Sequence, residues 1–131
     1  MDDATSERLV AQRLRNRVME ALEILADGDE GLRAVGAKEY FSYFFDFVDD
    51  DAPHDWRALS TYTDEEVALI DAVLVGMLAA LESTAALRTE DAIAATGWPG
   101  RIAPLAREAL AVMAARGRFD EELEEPVPSH R

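Results

Sequence analysis

Tyr40-Phe41-Ser42-Tyr43-Phe44-Phe45-Asp46-Phe47 holds six of the chain's ten aromatic residues, and how it folds decides the architecture. Aromatics favour strands, and over so short a run the alternation fits either element. A helix is the better assignment, because the flanking sequence is helical in pattern and no partner strands are evident. As a helix over about Ala37 to Val48, it places Phe41, Phe44, Phe45 and Val48 on an i, i+3, i+4, i+7 face, which predicts the core. Tyr40, Tyr43 and Phe47 form an adjacent face at the margin. Asp49, Asp50 and Asp51 follow almost at once.

Working outward, the N-terminal side reads as a long helix from about Glu7 to Asp27. Leu14, Val18, Leu22 and Leu25 form its stripe, Ser6 or Thr5 caps its start, and Asp27-Gly28-Asp29 stops it. Arg13 and Arg17 border that stripe, and the arginines of this helix read as a solvated face. From Asp29 to Ala37, two glycines bracket a short turn. On the other side, Asp49 to Thr63 is long for a structureless connection, so it holds a short helix near Asp55 to Leu59 or serves a function.

Thr63-Asp64-Glu65-Glu66 is a capping box, with three acids at the positive end of the helix dipole. It opens a helix to about Ala86 whose expected core line is Val67, Ile70, Leu74, Met77 or Leu78, and Leu81. Thr89 caps a short helix ending at Thr96-Gly97. Trp98-Pro99-Gly100 reads as a turn, and the last helix runs from Ile102 or Pro104 to Ala115. Beyond Phe119 the acidic, proline-containing segment is expected to be mobile. The predicted fold is therefore all-α, a single bundle-like domain of four to five helices over residues 1–119, followed by a flexible acidic tail over 120–131.

Composition narrows function by exclusion. The 131 residues carry 27 acids against 13 bases, a net charge of −14, with no cysteine. Such a chain repels nucleic acid and anionic membranes and meets basic partners quickly. From Asp46 to Asp71, nine acids face Arg57 alone, a net of −8. The absence of cysteine excludes disulfide and zinc-thiolate sites. The N-terminus lacks the pattern of a signal peptide, which suggests a cytoplasmic protein. The apolar window Val67 to Leu87 is interrupted by Asp71 and Glu82, so no membrane span is expected.

Only His54 and His130 could act as imidazole bases, too few for a triad or an imidazole metal site. No glycine-rich phosphate loop is present. Carboxylate-only metal chemistry survives, with Glu20, Glu23 and Asp27 facing Asp46, Asp49 and Asp50. The Glu-Glu-x-x-Glu motif of helical phosphohydrolases is not matched, since Glu65-Glu66 is followed by Leu69. No cofactor is indicated.

Binding remains, and the leading expectation is an acidic protein-binding module, of immunity or antitoxin type, that covers a basic partner. Tyr40, Tyr43, Phe47 and Trp56 are the expected anchors, rimmed by Asp46, Asp49, Asp50, Asp51, His54 and Asp55. A divalent-metal phosphohydrolase and a small hydrophobic ligand-binding domain are the alternatives. Self-association through an alanine-rich helix face is compatible with each.

Overall fold

The computed structural model describes residues 6–49 and 55–130. It is an all-α bundle with helices α1 (Glu7–Ala26), α2 (Asp29–Phe45), α3 (Asp64–Thr84), α4 (Glu90–Ala95) and α5 (Trp98–Arg116). A single 3₁₀ turn, Trp56–Ala58, interrupts the connection before α3. α1 packs on α2 and α5, α3 packs on α5, and α4 closes the end against α2 and α5.

The caps form where the local chemistry places them. Ser6 accepts from the Leu9 N–H at 3.1 Å, and Thr89 from the Ala92 N–H at 3.1 Å. At α3, Thr63 accepts from the Glu66 N–H at 3.1 Å while Glu66 accepts from the Thr63 N–H at 3.2 Å, a complete capping box. Only Asp27 and Gly28 separate α1 from α2, so the two backbones meet closely. A Cβ at Gly31 would lie 2.0 Å from the Ile24 carbonyl oxygen, and only glycine fits there.

Two boundaries differ from expectation. α2 begins at Asp29, well before the aromatic run, and bends at Gly36, whose φ of 87° breaks the helical geometry. Beyond the bend, the core face of the aromatic segment is Tyr40, Phe41, Phe44 and Val48, while Phe45 is half-buried. α5 begins at Trp98, so Trp98-Pro99-Gly100 is its first turn. Proline lacks only an N–H that has no helical partner there, and Gly97, at φ 82°, makes the left-handed entry.

Arg15 is fully buried, which corrects its assignment to a solvated face. Its guanidinium meets the equally buried Glu66, from Nη2 to Oε2 at 2.8 Å and from Nε to Oε1 at 3.3 Å. It also donates to the carbonyls of Gly117 at 2.8 Å and Met113 at 3.1 Å. Arg116 completes the cluster, donating to Glu66 Oε1 at 2.7 Å. Burial alone would push the Glu66 carboxyl up, but the hydrogen bonds from Arg15 and Arg116 hold it below its ordinary value. One carboxylate thus joins α1, α3 and the end of α5.

After α5 the chain returns along α1, and Phe119 is buried. Asn16 reads the Phe119 backbone in both directions, donating to its carbonyl at 2.8 Å and accepting from its N–H at 3.1 Å. Gln12 does the same further on, donating to the carbonyls of Asp120 and Leu123 and accepting from the Glu125 N–H. Arg8 and Arg13 bind the carbonyls of Glu125 and Glu121. The segment expected as a loose tail is therefore laid on α1 by side chains that recognise its backbone.

Candidate functional site

The residues expected to anchor a partner divide between core and margin. Tyr40 is 1% exposed and Trp56 3%, so neither is available to a docking protein, a correction to the expectation for both. Tyr40 faces inward and meets the edge of Phe41, with ring centroids 5.1 Å apart. Trp56 pins the connection before α3, with the Arg57 guanidinium 4.7 Å over its ring. Burial pushes the Tyr40 hydroxyl well above its ordinary pKa, with the negative charge of Asp29 adding to the effect.

Tyr43 and Phe47 do lie at the margin, half-buried and in edge contact at 5.7 Å. Tyr43 donates its hydroxyl to Glu20 at 2.8 Å. Asp46, Asp49 and Asp55 are exposed. Asp55 caps the 3₁₀ turn through the Arg57 N–H at 3.0 Å, which gives it a structural task as well. Asp50, Asp51 and His54 lie outside the described residues.

The carboxylates required for metal chemistry are dispersed. Glu20 is engaged by Tyr43 and Arg17, and Glu23 by Arg118. Among the described residues, no three acids converge on a point that could hold a cation. The cavity expected behind the phenylalanines is an open groove of about 440 Å³, between α2, the end of α3 and α4. Phe41, Phe45, Leu81, Leu87 and Ile93 line it, with Lys38 and Asp46 at its edge.

α3 contributes the surface that periodicity missed. Ile70, Leu74 and Met77 are buried as expected, together with Val73 and Ala80. Leu81, expected inward, and Leu78, the alternative to Met77, are 42% and 46% exposed, and Val75 is 64% exposed. In a helix this apolar, the pattern carries little contrast between faces, so its rotation is not fixed by sequence. By length and composition alone α3 could cross a membrane, although the sequence reading expected no span; a third of its most apolar stretch is buried in the bundle. The signal that was available is the lack of any Lys or Arg between Arg57 and Arg88.

No protein-family model, curated protein or solved structure shows significant similarity to this chain.

Proposed function

We propose that this chain is an acidic protein-binding module whose partner is basic, acting by covering the partner's cationic surface, as an immunity-type or antitoxin-type inhibitor does. The supporting observation is how the charges are partitioned. Arg15 and Arg116 are committed to Glu66, and Arg33, Arg57 and Arg118 to Asp91, Asp71 and Glu23. Arg8, Arg13 and Arg17 hold the C-terminal segment. Lys38, Arg88, Arg101 and Arg107 have no ion pair among the described residues, but the acids left without one, Glu39, Asp46, Asp64, Glu65 and Glu82 among them, outnumber them, so the excess negative charge is directed outward. Such a field speeds encounter with a cationic protein and suppresses acidic competitors.

Asp46, Asp49 and Asp55 supply steering, and Tyr43 and Phe47 the adjoining contact surface. A second reading, a pocket for a small apolar ligand, is favoured only by the aromatic-lined groove of about 440 Å³. Co-purification from the native host at low salt tests the leading reading. The expected result is a basic protein that is released as salt rises through about 0.3 M, where the Debye length falls to several ångströms. Recovery of the chain alone at low salt overturns it.

A further inference from the structure

A helix with one side in a bundle ordinarily turns polar residues to water. α3 does not. Its inward side is core, and its outward line, Ala68, Ala72, Val75 and Leu78, is apolar and exposed. At steps of three residues, Val75, Leu78 and Leu81 carry that surface round the helix, and Leu81 delivers it into the groove beside Phe41, Phe45 and Leu87. The result is an apolar strip broken only by Asp71, whose carboxylate is paired with Arg57 at 2.6 Å, rather than scattered hydrophobic side chains.

The two ends of the strip carry unpaired acids. Asp64 and Glu65 stand at its start and Glu82 near its end, all exposed and without an ion pair among the described residues. α3 itself contains no cation. We propose that this face docks an amphipathic helix from a partner protein, with apolar residues along its middle and Lys or Arg in both end turns. This rests on the reading above that the partner is basic, and it names the form the partner presents. From Asp64 to Glu82 is eighteen residues, about 27 Å at 1.5 Å each, so the docking helix spans about five turns. Ala68 and Ala72 leave room for close approach at about 8 Å between axes.

A second copy of this chain fits the strip poorly. Parallel pairing of two α3 helices would set Asp64 and Glu65 against themselves. Antiparallel pairing centred on Val75 would bring Glu82 within a turn of the other copy's Glu65, and Arg57, already held by Asp71, is not free to offset that repulsion. An amphipathic helix with basic ends meets no such repulsion, and its seating follows the helix-in-groove mode.

The test uses the full chain and three fluorescent probes of about 20 residues, matched to the length of α3. One is a Leu/Ala/Lys peptide with leucines at i, i+3, i+4 and i+7 and lysines in both end turns. The second is its scrambled sequence, and the third is oligolysine. By anisotropy, the amphipathic probe is expected to bind about tenfold or more tighter than the scrambled one. The double variant Val75→Asn/Leu78→Gln, with unchanged helical circular dichroism, is expected to lose that advantage while binding oligolysine as before. Equal binding of ordered and scrambled probes, or no effect of the variant, overturns the docking helix and leaves the basic-partner reading standing if oligolysine still binds. Loss of all binding to cationic probes overturns both. A dimer in sedimentation that the same variant dissociates assigns the strip to a second copy. Binding to neutral phosphatidylcholine vesicles that the variant abolishes assigns it to a membrane. Either result overturns the proposal.

Discussion

Glu66→Leu removes the anion on which the centre of the bundle converges, and the structure sets the size of the effect. The carboxylate accepts from Arg15 Nη2 at 2.8 Å, Arg15 Nε at 3.3 Å, Arg116 at 2.7 Å and the Thr63 N–H at 3.2 Å. Arg116 is partly exposed and can be hydrated in its absence, whereas Arg15 is fully buried and cannot. Stranding a buried charge costs about 3–5 kcal/mol, and losing the reciprocal arm of the capping box adds up to about 1 kcal/mol. Against a typical total of about 5–15 kcal/mol, this is a large fraction of the stability. Urea unfolding followed by circular dichroism measures it, with the slope unchanged if the denatured state is unaffected. The double variant Arg15→Met/Glu66→Leu removes both charges and is expected to recover most of the loss, because a buried pair replaced by apolar side chains is close to neutral. A cost below about 1 kcal/mol for Glu66→Leu, or a double variant as unstable as the sum of the single ones, refutes the reasoning. The pH dependence carries a sign. The folded-state pKa of Glu66 is depressed, so its contribution is present above the unfolded value of about 4.3 and is lost as pH falls through the lower folded value. Glu66→Gln is expected to flatten that acid limb.

Gly31→Ala forces a Cβ to within 2.0 Å of the Ile24 carbonyl oxygen, a backbone atom that cannot swing aside. The expected cost is about 2–3 kcal/mol, visible as a fall in Tm of roughly 10 °C. Tyr40→Phe and Tyr62→Phe remove buried hydroxyls that have no hydrogen-bond partner among the described residues, so each is expected to leave stability unchanged or raise it by up to about 1 kcal/mol in the same urea assay. Asn16→Ala leaves the Phe119 N–H and carbonyl without their buried partner, costing about 1–3 kcal/mol locally. Amide exchange over residues 119–130 is expected to quicken while α3 keeps its protection.

The helix ends were legible because capping is local: Ser6, Thr63 and Thr89 sit within three residues of the N–H groups they satisfy. The fate of Arg15 was not, since its partner is 51 positions away and a guanidinium in mid-helix reads as surface until Glu66 is folded against it. Trp98-Pro99-Gly100 illustrates an ambiguity of local chemistry, because the same three residues suit a turn or the first turn of a helix. The aromatic run is helical up to Phe45, as its flanks predict, but its buried face is shifted toward Tyr40 and away from Phe45. That shift places Tyr40 in the core rather than at the expected binding margin and leaves Phe45 on the groove. Of the residues expected there, Tyr43 and Phe47 are half-buried and Asp46, Asp49 and Asp55 are exposed, while α3 went unmarked because uniform apolarity hides which side faces out.

The placement of charge bears on why an apolar strip persists on α3. Arginines on α1 and at the end of α5 gather toward Glu66 and the returning C-terminal segment, so much of the molecule's positive charge lies on that side and is spent there. The stretch from Leu59 to Leu87 has acids and no cations of its own; Glu66 and Asp71 are paired with arginines from elsewhere, and Asp64, Glu65 and Glu82 keep a negative charge on α3 that is unpaired among the described residues. Were Val75 and Leu78 serving the bundle alone, polar residues at their exposed positions would fold equally well and lower the risk of association. Acids at both ends of the strip oppose pairing with an identical copy while attracting a cationic one, so the same residues that draw a partner in also discriminate among partners. Steering and apolar contact thus fall on one face, and that coincidence distinguishes α3 from an ordinary bundle helix that happens to be poor in charge.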